Sequence, residues 1–380
     1  MSAPGANLFT GLILASGRTD EILLPKIMEI LAPFTLNVKD IQEIRIRDRQ
    51  ILTILLALDR AHASALEADL TSAKLSADIA IDFAEYSSLH THELPLPKTL
   101  RIIATDYNAQ RLLDIFMTIQ RHGSLGRVST LSTSPYMVLD IQTMGISGSS
   151  SSTLLEELKE IGVTALYPGM QGPYLIVCDM DSTFIQEEVI DLLASHAGVG
   201  PEVSEITAAA MRGELDFSQS LERRVALLKG LESEALSMVR TQIHPSLGAL
   251  DLVSHLHREG HKIGIVSGGF LDVIEPLMID WNIDFYRANT FEIIDGKLTG
   301  RIQGAIVDRT AKAEALLEFS RLSGIPLERC IAVGDGANDG AMLELAGLGV
   351  AYLAKGELKK IADVSIEFHG LDAVIHLIPN

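Results

Sequence analysis

Cysteine is nearly absent from this chain. Only Cys178 and Cys330 occur among 380 residues. Each sits in an apolar run, so both are expected as reduced core thiols, with a bridge between two adjacent strand ends as the alternative. Positive charge is also scarce. Lys and Arg number 31 against 50 Asp and Glu, a net charge of -19. That balance argues against nucleic acid or an anionic membrane as the main partner. It says little about small substrates, because a local basic site or a metal ion inverts the field near a ligand. No apolar run reaches the roughly 18 residues of a membrane span, so none is expected. The opening "MSAPGANLFTGLILASG" has no basic stretch before its short apolar run and is not expected to act as a signal peptide. With the reduced cysteines, this points to a cytoplasmic protein. Low complexity is confined to "GISGSSSS" (Gly145–Ser152), expected as a flexible loop ahead of a helix.

At 380 residues, 47% hydrophobic and 21% charged, the chain has the composition of a globular protein with room for two or three domains. Its first half repeats one pattern twice. "LFTGLILASG" reads as a strand, "EILLPKIMEILAPF" as a helix, "VKDIQEIRIRD" and "QILTILLALD" as a strand pair, "HASALEADLTSAKLSA" as a helix and "DIAIDFAEY" as a strand. From about Leu100 the same β-α-β-β-α-β order recurs, ending at "VTALYP". The polar, proline-containing "SSLHTHELPLPKTL" separates the two. This predicts two ferredoxin-like α+β modules, residues 1–88 and 98–168. Neither carries a dense set of titratable side chains, which places the chemistry after about residue 170.

From Tyr174 onward, apolar strand runs alternate with helices: "YLIVCDMD", "HKIGIVSGG", "FYRANTFEI", "CIAVGDGAND" and "GLGVAYL". That is the pattern of an α/β domain, residues 169–380, with a mostly parallel sheet whose ligands bind beyond the carboxyl ends of the strands. Residues 186–244 are helical throughout with no comparable strand, and are expected to form an inserted cap over the site.

The first run ends on two acids, Asp179 and Asp181. If the strand continues, they face the same way and repel unless a positive charge lies beside them. A magnesium ion, which prefers carboxylate, water and phosphate oxygens, would supply it. Asp335 and Asp339, with Asn338 between them, end a second run where Gly334 and Gly336 allow a tight turn, and Asp335 could complete the metal site. Ser267 offers a hydroxyl, and Gly268 and Gly269 leave backbone N–H groups open to an anion. Lys312, near a helix start, adds a fixed ammonium. Together these form a phosphate cradle. Asp179 would be the nucleophile, forming an aspartyl-phosphate, and Asp181 the acid and later the base.

"DMDST", "SGG", the lysine of "TAKAE" and "GDGAND" resemble, in order, the four motifs of the haloacid-dehalogenase-like phosphatases, whose core is a Rossmann-like parallel sheet carrying a cap. Within that superfamily, "DSTFIQEEVIDLLA", "MRGELDFSQSLERRVALLKG" and "IIDGKLTGRIQGAIVD" are similar to the phosphoserine phosphatases, and the likeness runs from Tyr174 to the C-terminus. The module order is similar to the tandem ACT-type regulatory domains of some actinobacterial members. The resemblance implies magnesium on the Asp179 carboxylate, the Asp181 carbonyl and the Asp335 carboxylate. It implies phosphate binding by Ser267, Gly268 and Lys312, with Asn338 and Asp339 in support. Glu188 would receive the substrate ammonium, Arg224 its carboxylate, and Met211 and Phe217 would close over it. A planar guanidinium suits a carboxylate, and phosphoserine carries all three complementary groups. The resemblance further implies a homodimer in the last step of serine synthesis, with serine as an amino-acid effector on the ACT-type modules.

Other readings of the same residues stand beside these. Glu187 and Glu188 are adjacent, so one alone can point inward, and both suit a helix start. Arg223 and Arg224 both suit a solvated helix face. His255, His257 and His261 do not share a helix face and are expected at the surface rather than on a metal. Trp281 reads as packing. Gly17 lies where an ACT-type ligand loop needs it, whereas "ATDYNAQRLL" has no glycine at the matching turn; a dimerisation scaffold without an effector is the alternative. Transfer of the phosphoryl group to another acceptor, another small phospho-compound as substrate, or an inactive sensor are the competing functions.

Overall fold

In a computed structural model, the structure describes residues 8–18, 23–46, 48–73, 75, 77–85, 98–105, 108–133, 136–146, 148–354 and 356–379. The chain divides into two units, Met1–Glu93 and Leu94–Asn380. The first contains β1 (Leu8–Arg18), α1 (Leu23–Leu31), β2 (Leu36–Ile46), β3 (Arg49–Asp59), α2 (Ala63–Ser72) and β4 (Ala77–Glu85). The antiparallel sheet runs β2-β3-β1-β4. Alternation along β1 and β3 sends Ile13, Ala15, Leu52, Ile54 and Leu56 to one face. Leu23, Ile27 and Leu31 of α1 and Leu66 and Leu70 of α2 cover it, at the three- and four-residue spacings of a helix face.

The second unit opens with the repeat: β5 (Lys98–Ala104), α3 (Ala109–His122), β6 (Ser124–Thr133), β7 (Met137–Met144), α4 (Ser149–Glu160) and β8 (Thr164–Leu166). Its sheet order, β6-β7-β5-β8, repeats that of the first. Asn108 caps α3 by accepting the Arg111 N–H at 2.8 Å. The serines expected as loop differ from the reading: Ser149–Ser152 form the first turn of α4. The buried Leu154 and Leu158 anchor that helix on the sheet, and packing overrides weak serine propensity. The turn residues 19–22, and 106 and 107, where an effector loop was sought, lie outside the described residues.

The α/β domain follows with β9 (Leu175–Asp179), α5 (Val189–Ala197), α6 (Gly200–Met211), α7 (Phe217–Ala226), α8 (Glu234–Arg240), α9 (Ala249–Arg258), β10 (Lys262–Phe270), α10 (Leu271–Asp280), β11 (Phe285–Ile294), β12 (Lys297–Gln303), α11 (Arg309–Ser323), β13 (Cys330–Gly334), α12 (Gly340–Leu345), β14 (Leu348–Tyr352), α13 (Leu358–Ile361) and β15 (Val364–Ile366). The seven-stranded sheet runs β12-β11-β10-β9-β13-β14-β15, parallel except for β12. β9 is buried along its whole length, which is why it reads as an unbroken apolar run. β10 pairs with one side of β9 and β13 with the other, so the strand order reverses there. The crevice at such a reversal brings the ends of β9, β10 and β13 together. Asp295 and Gly296, both left-handed at φ 51° and 76°, close the β11–β12 hairpin.

The helices α5–α8 form the insertion. The chain leaves and rejoins the core side by side: Ile185 bridges Pro245, and the Gln186 N–H donates to the His244 carbonyl at 3.0 Å. The second module packs on the α/β domain through the sheet face away from its helices. Ile103, Val138 and Leu166 share a core with β9 and β13, and the Tyr136 hydroxyl donates to Asp372 at 2.7 Å. Residues 98–168 and 169–380 thus share one apolar interior. Cys178 and Cys330 are buried free thiols, and Trp281 packs on Phe184 with ring centroids 5.7 Å apart. The three histidines turn to separate partners: His255 to Arg258, His257 to Asp284, and His261 to the Tyr174 N–H. They do not converge on a metal.

Candidate active site

β9 stops at Asp179. Asp181 stays extended, but Ser182 turns left-handed at φ 57°, so the strand does not continue through both acids. Both carboxylates line one cavity, and each has its own partners. Asp179, 5% exposed, lies 2.6 Å from the Lys312 ammonium and accepts the Met180 N–H at 2.7 Å. Asp181 accepts the Val189 N–H at 2.8 Å and the Ser267 hydroxyl at 3.0 Å.

Lys312 is fully buried in the first turns of α11, a helix started by Asp308, which accepts the Ala311 N–H at 2.9 Å. Its ammonium bridges Asp179 and Asp339, the latter at 2.7 Å. Burial alone would push the ammonium pKa down, but the two carboxylates outweigh it and the net shift is upward. Asp339 also accepts the Gly336 N–H at 3.0 Å, so both of its oxygens are committed to protein donors. A side chain on Gly334 would run into the Asp339 carboxylate, which explains the glycine there.

Asp179, Asp335 and Asp339 place carboxylate oxygens within 4.8 Å of one another. Burial, then the Asp339 charge, pushes Asp179 well above the ordinary carboxylate range, against the pull of Lys312. The same two causes push Asp335 up to about 6. One lysine does not neutralise three crowded acids, and a hard cation with oxygen ligands fits this donor set. Asp335 is further held by the Thr183 hydroxyl at 3.0 Å.

A cavity of ≈ 180 Å³ opens above these groups. Asp179, Asp181, Gly268, Asp335 and Asn338 line one side, and Glu188, Phe217 and Arg224 come from the insertion. Glu188, just ahead of α5, opens onto the cavity and accepts the Ser182 hydroxyl at 2.8 Å. The protein crowded around it, with the Asp181 charge, pushes its carboxyl up to about 7. Glu187 turns away to the hinge, where it accepts the His244 N–H at 2.9 Å. Arg224 is half-buried and faces the cavity, while Arg223 is exposed. Burial pulls the Arg224 guanidinium below its ordinary range, and Glu188, Asp191 and Asp181 oppose that shift. Phe217 sits so close to Gly268 that a Cβ there would come within 2.8 Å of its ring. Met211 ends α6, and its side chain lies outside the described residues.

The Gly269 N–H, read from the sequence as open to an anion, instead donates to Ser267 at 2.7 Å, because the tight turn brings that hydroxyl under it. Three site residues escaped the sequence reading. Ser182 and Thr183 follow the acids in the sequence, which gives them no role. Asn289 is buried in β11, 1% exposed; it donates to the Gly268 carbonyl and accepts the Val307 N–H, both at 2.8 Å. β11 also carries Arg287, Thr290 and Glu292, so nothing in the sequence pattern marks Asn289 out.

The family model for haloacid dehalogenase-like hydrolases matches residues 176–344, and that for the ACT domain matches residues 11–84. A phosphoserine phosphatase of Streptomyces coelicolor is 37% identical over 93% of this chain and 88% of its own length. The chain belongs to the phosphoserine phosphatase family. Phosphoserine phosphatase SerB2 of Mycobacterium tuberculosis is 36% identical over 97% of this chain and 92% of its own. A solved structure, described as a phospho-aspartyl intermediate analogue of phosphoserine phosphatase, covers 55% of this chain at 40% identity and a TM-score of 0.52. Family membership makes the chain a hydrolase with an α/β catalytic core, and the ACT domain lies ahead of that core.

Proposed function

We propose that this protein hydrolyses O-phospho-L-serine to L-serine and phosphate, with magnesium at the carboxylate cluster and an aspartyl-phosphate between two half-reactions. The observation that carries the reading is the placement of Glu188 and Arg224 on the wall of the same ≈ 180 Å³ cavity that holds Asp179 and Asp181. A carboxylate for an ammonium and a guanidinium for a carboxylate select an amino-acid phosphate over a plain one.

In the first half-reaction an Asp179 oxygen attacks phosphorus and the bond to the seryl oxygen breaks, with Asp181 delivering the proton to that oxygen. Burial holds Asp181 above its ordinary range, against the Val189 N–H and Ser267, as an acid requires. In the second, Asp181 takes a proton from the water that attacks the aspartyl-phosphate, freeing Asp179 and phosphate. Asp179, the Asp181 carbonyl and Asp335 would hold magnesium, which would supply positive charge to neutralise the phosphoryl group and keep Asp179 ionised. Ser267, Gly268 and Lys312 hold the phosphoryl oxygens, with Asn338 and Asp339 behind them. Phe217 closes the cavity from the cap, and the resemblance assigns Met211 the same task. The ACT-type modules are read as a serine-binding regulatory half of a cytoplasmic homodimer in serine synthesis.

The test is phosphate release from O-phospho-L-serine beside phosphothreonine and an aryl phosphate, with and without magnesium. Fast release confined to phosphoserine plus magnesium is expected, slowed by added L-serine. Release from the aryl phosphate alone would refute the substrate, and indifference to L-serine would refute the effector.

Glu188 gives a pH signature. Its carboxyl, pushed up to about 7, is protonated below that value and cannot pair with an ammonium. KM for phosphoserine is expected to rise as pH falls through about 7. Glu188→Gln should raise KM and flatten that dependence. The aryl phosphate, lacking an ammonium, reports the titration of the phosphate itself. A wild-type profile identical for both substrates would contradict the assignment.

A further inference from the structure

A second and larger cavity, ≈ 840 Å³, lies between the second module and the α/β domain. It sits where β5 starts, β8 leaves the sheet and α4 begins, at the opposite end of β5 from the turn where an ACT-type effector loop was sought. Arg101 and Asp140 form its inner wall, and both are committed. Arg101 donates to the two Asp140 oxygens at 2.7 and 2.9 Å, and to the His376 and Ile378 carbonyls at 3.1 and 2.9 Å. Among the described lining residues this leaves Lys98 as the one charge without an ion partner. Its ammonium stands 5.9 Å from the centre of the Tyr167 ring, which also lines the cavity.

Two more lining residues have unmet hydrogen-bonding capacity. The Tyr167 hydroxyl and the Ser151 hydroxyl are buried and make no hydrogen bond among the described residues. Such groups are uncommon in a folded protein, because they lose water and gain nothing in return. Ser151 belongs to the first turn of α4. The residue ahead of that helix, Gly148, has no side chain to cap it, so the positive end of the helix also faces this corner. The uncommitted groups are thus an ammonium and two hydroxyls. The uncommitted charge is positive, and the free acidic group that a cationic ligand would need is missing from the described lining. Leu131, Pro168, Pro379 and the Tyr167 ring supply apolar wall.

We infer that this cavity binds a small organic anion, a carboxylate or phosphate carried on an apolar body, with its oxygens toward Lys98, Tyr167 and Ser151 and its body against the prolines and Leu131. A carboxylate or phosphate offers several acceptor lone pairs, enough for the ammonium and both hydroxyls at once. The assignment does not depend on the substrate proposed for the catalytic cavity.

Calorimetric titration of the full-length protein with phenylacetate, and separately with non-hydrolysable phenylphosphonate, tests it. Saturable binding is expected in the wild type and in Arg224→Lys. It should weaken by about tenfold in Lys98→Ala and in Tyr167→Phe. Stronger binding of phenylacetate would assign the natural group as a carboxylate, and of phenylphosphonate as a phosphate. Tyr167→Phe removes a hydroxyl with no partner among the described residues, so its melting temperature should match or exceed the wild type, which separates lost binding from lost folding. Binding that survives Lys98→Ala and Tyr167→Phe but falls in Arg224→Lys would belong to the catalytic cavity and overturn the inference. So would the lack of saturable binding by either probe up to about 10 mM.

Discussion

Asp179→Asn is expected to leave a folded protein that releases phosphate from phosphoserine at least about 10⁴-fold more slowly than the wild type. Asn has the shape of Asp and keeps an oxygen for the Met180 N–H, which Asp179 accepts at 2.7 Å. Lys312 keeps Asp339 as a partner at 2.7 Å. The fold therefore loses little, whereas an amide oxygen is a far poorer nucleophile toward phosphorus than a carboxylate. Initial rates with magnesium, together with circular dichroism of the variant, decide the matter. Residual activity above about 1% in a protein free of deamidation would exclude covalent catalysis at Asp179.

Lys312→Met should act on stability as strongly as on turnover. The ammonium is fully buried and lies 2.6 Å from Asp179 and 2.7 Å from Asp339. Its removal leaves two buried carboxylates facing each other, a loss on the order of 3–5 kcal/mol in the metal-free protein. The pH dependence has a definite sign. Asp179 is already held above its ordinary range by burial and by Asp339, and Lys312 is the group that opposes the shift. Without it the folded-state pKa of Asp179 rises further. A carboxyl with a raised folded pKa favours the fold while protonated, and that contribution is lost as pH rises through the folded value. The deficit relative to wild type should be larger at about pH 8 than at about pH 5. Denaturant melts at the two pH values in chelator-treated buffer measure it. An equal deficit at both would mean that packing, not charge, is what Lys312 contributes.

Much of this was legible in the chain order of its residues. The period-two and helical patterns of the first half predicted both modules. The unbroken apolar runs ending in acids, serine and glycine predicted a parallel sheet with a polar edge. Local patterning suffices there because burial on one face or on both writes itself directly into residue spacing. The sequence narrowed the acids of the insertion to Glu187 or Glu188, and the arginines to Arg223 or Arg224, but neighbours one residue apart differ only in where the helix or hinge turns them. Glu187 goes to the hinge at His244, while Glu188 and Arg224 meet across the cavity.

Tertiary structure alone decided how the acids are partnered. Asp179 pairs with Lys312 and Asp181 with Ser267, residues far along the chain that meet because β10 pairs with β9 and α11 packs on both. The buried Asn289 and the joint of Arg101 with the C-terminal carbonyls have the same origin. The sequence by itself determined which strand ends carry chemistry and which faces are apolar, because those follow from spacing within one element. Which groups neutralise each other depends on contacts between elements, and only the strand order supplies those.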